Sequence, residues 1–336
     1  MKSVDLATHI DQQKPSHGRV RTRLMVTRRL LPEVEERIAK DYNSWGAREV
    51  HWTEEEIVAA AEGADALLVC LTEKISASVI ARLPATVKVI ATASIGVDHI
   101  DLEAARHRGI RVVNAPGSGI VSTAELAMLL ILAASRRAYE GDRLVRSGTW
   151  RGWHPTDLLG YELAGKRLGI FGMGRIGGQL ARRARAFEME IHYCNRRRPS
   201  PDKEGGAVFH QKVEDLFAAS DVLSLNAPST SETRHVINAR NIDLLPPNAV
   251  VVNAARGDLV KDADLIAALK TGRIAAAGLD VFDGEPRVDP GYRELSNVFL
   301  LPHLGTATVE ARTGMVFQVL DGLNAALADL TSGCVQ

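Results

Sequence analysis

Cysteine is scarce in this chain of 336 residues. Only Cys70, Cys194 and Cys334 occur, and no two of them have the C-x-x-C or metal-ligand spacing. The sequence therefore argues against a disulfide scaffold and a metal centre. Free thiols in a reducing cytoplasm are expected instead.

Unbalanced charge and long apolar runs are also lacking. Lys plus Arg and Asp plus Glu number 41 each, so no global field recruits nucleic acid or an anionic membrane. The most apolar run, 126–134, is too short to span a bilayer. Residues 1–20 are polar and predict a flexible extension, not a signal peptide. These absences favour a small-molecule partner.

Short apolar strands alternate with helical segments through most of the chain. This pattern indicates an α/β fold with parallel sheets covered on both faces. A first run predicts strands at 24–27, 66–70, 87–91 and 112–113. A second run predicts six, the number in a doubly wound dinucleotide domain: 168–171, 190–194, 222–225, 249–253, 276–280 and 298–301.

Turn formers at 114–119 mark a crossing between two domains. After them, 123–137 predicts a helix that is apolar on nearly every side, and therefore buried between elements or at a subunit interface. The last helical segment, 309–327, comes too late for the second sheet and is expected to cross back. We therefore predict a discontinuous substrate-binding domain at 21–115 and 305–336, and a dinucleotide-binding domain at 116–304.

The stretch Arg167-Leu-Gly-Ile-Phe-Gly-Met-Gly-Arg-Ile-Gly-Gly178 places glycines between a strand and a helix. In that context G-x-G-x-x-G predicts a dinucleotide site. Gly172 makes the tight turn, Gly174 lets the backbone approach a pyrophosphate, and Gly177 lets helix and strand pack closely. The amides at the helix start would face the phosphates.

The end of the next strand bears on the choice of cofactor. An NAD site wants a carboxylate there for the ribose 2′-hydroxyl, but this chain has Asn195, Arg196 and Arg197 followed by a third arginine. Guanidinium groups suit a 2′-phosphate, although a basic run can also be simply a solvated loop. We expect NADP(H) to be preferred, with NAD(H) possible.

Three later strands are each followed by a residue suited to carbonyl reduction, which needs a proton donor and positive charge near the oxygen. These residues are Arg256, Glu285 and His303. Each alone is more often structural, as a surface cation, a turn residue and a loop histidine. Their shared position at the carboxyl edge of one sheet makes them a candidate site.

Six motifs in order, spanning residues 24–327, resemble the D-isomer-specific 2-hydroxyacid dehydrogenase family, most closely its glyoxylate/hydroxypyruvate reductases. The motifs are Ala93-Ser-Ile-Gly-Val-Asp-His-Ile-Asp101, Val113-Asn-Ala-Pro-Gly117, Gly169-Ile-Phe-Gly-Met-Gly-Arg-Ile-Gly177, Val252-Asn-Ala-Ala-Arg-Gly257, Gly278-Leu-Asp-Val-Phe282 with Glu285-Pro286, and Pro302-His-Leu-Gly-Thr-Ala-Thr308. The resemblance implies a Rossmann-type nucleotide domain, a flavodoxin-like substrate domain and a homodimer.

The resemblance also implies residue roles. His303 would be the acid/base, Glu285 its partner and Arg256 the substrate anchor. A carboxylate beside an imidazole favours the protonated form, which can donate to a nascent alkoxide. The remaining substrate contacts would come from Leu71, Ile95, Gly96 and a neighbouring subunit's Trp153. The remaining cofactor contacts would come from Arg175, Ile176, Ala227, Pro228, Thr233, Ala254, Asp280, His303 and Gly305.

Two positions depart from the family pattern: Asn226 stands where histidine is common, and Leu126 where histidine is frequent. Neither belongs to the trio, so they bear on the subgroup and not on the chemistry. Two alternatives to a small-acid reductase stay open. One is a reductase of a bulkier 2-oxo acid, such as 2-ketogluconate or an aryl pyruvate; the other is a nucleotide-sensing corepressor of the same fold.

Overall fold

A computed structural model describes residues 21–332, apart from the side chains of residues 203, 331 and 332. The extension predicted for 1–20 and the thiol of Cys334 lie outside the described residues. Within 21–332 no helix is both long enough and apolar enough to cross a membrane.

The first sheet has five parallel strands in the order β2-β1-β3-β4-β5. They are β1 (Arg23–Val26), β2 (Asn43–Trp45), β3 (Ala66–Val69), β4 (Val89–Thr92) and β5 (Arg111–Val113). Helices on this part of the chain are α1 (Pro32–Asp41), α2 (Glu54–Ala60), α3 (Ala77–Arg82) and α4 (Leu102–His107). Four of the strands were predicted. The edge strand β2 was missed because it is short, largely polar and paired on one side only.

The second sheet has seven parallel strands in the order β12-β11-β10-β9-β6-β7-β8. They are β6 (Arg167–Phe171), β7 (Glu190–Cys194), β8 (Val208–Phe209), β9 (Val222–Leu225), β10 (Ala249–Asn253), β11 (Ile274–Leu279) and β12 (Val298–Leu300). The prediction of six strands was wrong by the edge strand β8, whose two residues carry no periodic signal. The strand order reverses between β6 and β9, which is where such sheets bind ligands.

After β5, the helices along the chain begin with α5 (Ile120–Ser135) and end with the long α13 (Val309–Ser332). Between them lie α6 (Ala138–Arg146), α7 (Arg175–Arg185), α8 (Pro201–Glu204), α9 (Val213–Ala218), α10 (Ala239–Ile242), α11 (Asp262–Lys270) and α12 (Pro290–Arg293). As predicted, α5 is largely buried, and it packs on α7, β10 and β11. Helix α13 returns to the first sheet, where it packs on α1, β4 and β5.

Both sheets carry the same arginine–aspartate clamp at the start of their first strand. Asp65 accepts bonds from the backbone N, Nε and Nη2 of Arg23, and Asp221 accepts the same three from Arg167, all at 2.7–3.2 Å. The arginine hydrogen bonds hold the pKa of each aspartate below its ordinary value, against the effect of burial. Each clamp holds the start of the first strand to the residue that precedes the neighbouring strand, β3 or β9. It therefore helps to fix the positions of the two strands relative to each other.

Candidate active site

A cleft of about 1430 Å³ is lined by residues from both sheets. Leu71 follows β3, and Ile95 follows β4. From the second sheet, Arg256 follows β10, Asp280 follows β11 and His303 follows β12. The carboxyl ends of parallel strands thus deliver the polar groups to one place, as expected for open α/β sheets.

The glycine turn between β6 and α7 has the geometry of a phosphate cradle. Gly172 has φ +96°, and a Cβ there would lie 2.6 Å from the backbone nitrogen of Ala227. A Cβ on Gly177 would lie 2.6 Å from the Gly172 carbonyl oxygen, whereas one on Gly174 would meet nothing within 4 Å. The turn is therefore tight where backbone meets backbone and open at Gly174. These features fit a dinucleotide pyrophosphate at the start of α7.

His303 and Glu285 form a hydrogen-bonded pair in the cleft. His303 Nδ1 lies 2.7 Å from Glu285 Oε2, and the other carboxylate oxygen accepts the amide of Phe282 at 2.8 Å. Burial opposes ionisation of Glu285, but the bond and charge of His303, with smaller help from Phe282 and Arg256, hold its pKa below the ordinary value. An ionised carboxylate can only accept, so Nδ1 must donate and Nε2 is left to face the cleft.

A buried carboxylate sets the turn that carries His303. The Asp280 side chain accepts the amides of Leu304 at 2.6 Å and Gly305 at 2.9 Å, and its backbone carbonyl accepts the His303 amide at 2.8 Å. Burial raises the pKa of Asp280, and the two amides offset this only in part. Thr123 of α5 donates to the Gly305 carbonyl at 3.2 Å and so ties the turn to the core helix.

Arg256 is held on both its backbone and its side chain. Asn253 is fully buried; its amide nitrogen donates to the Arg256 carbonyl at 2.8 Å, and its amide oxygen accepts from Ala255 at 3.0 Å. The guanidinium donates to Asp98 through Nε at 2.8 Å and Nη2 at 3.2 Å. This bidentate pair joins a loop of the first sheet to a loop of the second.

Hydrogen bonds of neighbouring polar side chains hold the loop of Ile95 and Gly96 in place. Ser94 donates to the Gly96 carbonyl at 2.7 Å, and Thr92 lies 2.9 Å from Ser94 and 2.8 Å from His99 Nε2. Burial lowers the pKa of His99 to about 4, so its imidazole is neutral near pH 7. The loop is thereby held without a second positive charge beside Arg256.

The polar residues of the loop after β7 differ in their contacts. Asn195 accepts the Met173 amide at 2.6 Å and donates to the Met173 carbonyl at 3.2 Å, so it closes the glycine turn. Arg198 pairs with Glu204, with Nη2 at 3.0 Å from Oε2. Arg196 and Arg197 are exposed.

Twelve of the residues proposed from sequence line the cleft together. They are Leu71, Ile95, Gly96, Ile176, Ala227, Pro228, Ala254, Arg256, Asp280, Glu285, His303 and Gly305. The three motif glycines, Asn195 and the exposed arginines lie at or beyond the glycine turn. Arg175 donates to the Pro116 carbonyl at 2.6 Å, at the crossing between the two halves, and Thr233 donates to the Pro228 carbonyl at 2.7 Å. Trp153 is 78% exposed and does not line this chain's own cleft.

Sequence reasoning missed several charged residues of the cleft, among them Asp98 and Arg312. Asp98 lies inside one of the motifs and follows β4, so its position after a strand end was a usable signal. Arg312 lies in the first turn of α13, far along the chain from the residues it faces. Only the return of that helix to the first sheet brings it to the cleft.

The fold and this site define an enzyme, a dinucleotide-dependent dehydrogenase with two α/β halves. The chain belongs to the D-isomer specific 2-hydroxyacid dehydrogenase family: the model described as "D-isomer specific 2-hydroxyacid dehydrogenase, NAD binding domain" matches residues 128–305. That match supports dependence on NAD(H) or NADP(H).

Individual relatives are similar over most of the chain. A glycerate dehydrogenase from Hyphomicrobium methylovorum is 48% identical over 275 residues, 81% of this chain and 85% of the relative. A glyoxylate reductase from Thermococcus litoralis is 46% identical over 264 residues, 77% of this chain and 79% of the relative. Among solved structures, an NADPH-dependent glyoxylate/hydroxypyruvate reductase from Sinorhizobium meliloti, in complex with NADP and malonate, has a TM-score of 0.81 at 31% identity, covering 91% of this chain and 93% of that one.

Two adjacent glycines of α7 test the cradle. We predict that Gly177→Ala weakens NADPH and NADH binding roughly fivefold to hundredfold, because the added Cβ would displace the Gly172 carbonyl and distort the turn; overpacking costs about 1–3 kcal/mol, and ~1.4 kcal/mol is tenfold. Gly178→Ala is the matched control, since a Cβ there meets nothing within 4 Å. Calorimetric titration of both variants is the measurement. Equal affinities in the two would contradict the assigned packing role.

Proposed function

We propose that this enzyme reduces small 2-oxo acids, glyoxylate and hydroxypyruvate first, to D-2-hydroxy acids with NADPH preferred over NADH. The observation that carries the proposal is the His303–Glu285 pair, at 2.7 Å, in the same cleft as Arg256. An acid and a cation beside a phosphate cradle are what hydride reduction of a carbonyl requires. The names of the similar reductases support the choice of substrate.

Arg256 anchors the substrate. Its guanidinium pairs with the substrate carboxylate and draws electron density from the neighbouring oxo group. The backbone amides of Ile95 and Gly96 hold the same carboxylate. Leu71, which lines the cleft beside them, limits the room for the side chain of the 2-oxo acid.

His303 gives the proton. A nicotinamide cofactor held at the glycine turn would supply the hydride, and negative charge would develop on the substrate oxygen. Glu285 holds Nδ1 and stabilises the imidazolium, so Nε2 can donate to that oxygen. Because the carboxylate fixes the ring's tautomer and orientation, its role is the positioning of His303 and the support of its charge.

The preference for NADPH rests on the loop after β7. No carboxylate of residues 195–198 stands there to repel a 2′-phosphate, and Arg196 and Arg197 extend into solvent. Since Arg198 is engaged by Glu204, we assign phosphate binding to the first two arginines. If the two arginines were only solvated and bound no phosphate, the enzyme would use NADPH and NADH equally well.

We also propose a homodimer built on the segment from α5 to residue 161. Outward-facing apolar side chains are concentrated there. They are Val121, Leu129, Tyr139, Val145, Trp150, Trp153, Leu159 and Tyr161, between 40% and 65% exposed except for Trp153 at 78%. A second copy would cover this face. Trp153 would then reach the neighbouring subunit's cleft.

The acid/base assignment predicts a separate effect for each member of the His303–Glu285 pair. His303→Gln should retain cofactor binding and lose roughly 10²–10⁴-fold in turnover, the usual contribution of a general acid. In Glu285→Gln the imidazolium loses its supporting charge and Nδ1 loses its fixed acceptor, so kcat for reduction should fall while cofactor binding is retained. Glu294→Gln, an exposed carboxylate in the same half, is the control. Near-normal turnover in His303→Gln, or near-normal kcat in Glu285→Gln, would refute the respective role.

The cofactor and substrate assignments are tested by one kinetic panel. Glyoxylate, hydroxypyruvate, 2-ketogluconate and phenylpyruvate are each assayed with NADPH and NADH. We expect the highest kcat/KM with the two small acids and NADPH. Replacing Arg196 and Arg197 by serine should remove the preference for NADPH, whereas Arg182→Ser on α7 should leave it.

Each part of the panel can fail separately. Equal or better kcat/KM with NADH would contradict the cofactor preference. A higher kcat/KM with a bulky acid would move the assignment to that substrate. Tight cofactor binding without turnover of any acid would favour the nucleotide-sensing corepressor.

The dimer proposal predicts a mass of two chains in sedimentation equilibrium. Trp153→Ala should raise the KM for glyoxylate, because a wall of the partner's cleft is lost. Trp150→Ala, which alters the same loop, should leave that KM near the parent value. A monomeric mass with full activity would exclude a shared site.

A further inference from the structure

The side chain of Arg256 is oriented by a residue of the opposite half. Asp98 lies in the loop after β4 and receives Nε and Nη2 of the guanidinium at 2.8 and 3.2 Å. Planar two-point pairing of this kind restricts rotation of the guanidinium more than a single contact does. The Asp98 carboxylate therefore sets the plane in which Arg256 presents its remaining donors.

A count of donors shows what remains for a substrate. Arginine has five N–H groups. Asp98 takes one on Nε and one on Nη2, and the Ala255 carbonyl takes one on Nη1 at 2.7 Å. One N–H is left on each terminal nitrogen. Two donors side by side match two oxygens of a 2-oxo acid.

The neighbouring Gly96 makes this arrangement sterically possible. A Cβ at Gly96 would lie 2.0 Å from Arg256 Nη2 and 2.7 Å from Asp98 Oδ1. A side chain at this position would require the guanidinium or the carboxylate to shift from the paired geometry. The loop that presents the substrate-binding amides is thus shaped around the guanidinium as well.

The charge state of Asp98 also favours its pairing with Arg256. Burial favours its neutral form, but the hydrogen bonds and charge of Arg256 hold its pKa below the ordinary value. The ionised carboxylate can accept from both nitrogens at once. An amide in its place offers one acceptor and turns its own donors toward the cation.

We propose that Asp98 is a positioning residue that aligns Arg256 for the substrate across the cleft. This inference rests on the proposed function of Arg256 as substrate anchor. Because Asp98 and Arg256 come from different sheets, the anchor is aligned only when the two halves stand at this separation. Arg256 is therefore aligned for the substrate in the same step that brings the two halves to this separation.

The first experiment measures kinetics and binding in Asp98→Ala and Asp98→Asn. Both should raise the KM for glyoxylate roughly tenfold to hundredfold, the range for loss of charge-assisted hydrogen bonds. NADPH affinity and Tm should stay near the parent values. Asp41→Asn is the control, since Asp41 also pairs with an arginine of the first half but lies outside the cleft.

The second experiment uses guanidinium ion, at concentrations that do not denature, to rescue Arg256→Ala. Asp98 should hold the free ion where the side chain was, so rescue should occur in Arg256→Ala and be lost in the Arg256→Ala, Asp98→Ala double variant. A purely structural aspartate would not make rescue depend on it. Equal rescue in both variants, or no rescue in either, would overturn the positioning role.

The outcomes distinguish failure of the proposed role of Arg256 from failure of the proposed role of Asp98. Normal KM in Arg256→Ala would defeat the proposed anchor itself. A raised KM in Arg256→Ala together with near-normal KM values in the Asp98 variants would overturn only the positioning role of Asp98. A fall in Tm and NADPH affinity that accounts for the Asp98 defect would also overturn it.

Discussion

The buried carboxylate of Asp280 is the constraint on which the site depends. His303 has φ +55°, a left-handed conformation that costs a non-glycine residue on the order of 1 kcal/mol or more. Three hydrogen bonds from the turn to Asp280 keep it there. Without them the imidazole would not meet Glu285, since the two are 18 residues apart and on different loops.

The rest of the cleft depends on where the strands of each sheet begin and end. Each sheet is clamped at the start of its first strand by an arginine and an aspartate, and the strands then deliver their polar residues to the opposite edge. The helix α13 completes the first half from the far end of the chain. The cleft therefore needs both halves, and the Arg256–Asp98 pair is the point where their polar groups meet.

Prediction from sequence succeeded where a local pattern decides the outcome. Buried apolar strands, the glycine turn and the three residues after β10, β11 and β12 all carry local signals. The edge strands β2 and β8 do not, because they are short and have one partner. Helix α7 begins at Arg175, inside the glycine-rich stretch, and the glycines at 177 and 178 obscure this start in the sequence.

Other features depend on pairing between distant segments, which one sequence does not display. Asn195 was assigned to the cofactor, and its amide is engaged in closing the glycine turn 22 residues earlier. Asp98 meets an arginine 158 residues away. The first contact depends on the pairing of β6 with β7 and the second on the meeting of the two sheets, so neither is visible in the sequence alone.

The most direct test of the central claim, that Arg256 and His303 bind and protonate a 2-oxo acid in this cleft, is a crystal structure with NADP⁺ and oxamate, an unreactive analogue of glyoxylate. The account predicts the oxamate carboxylate on the terminal nitrogens of Arg256 and its carbonyl oxygen within hydrogen-bond distance of His303 Nε2. Oxamate bound away from Arg256, or with its carbonyl oxygen turned away from His303, would contradict it.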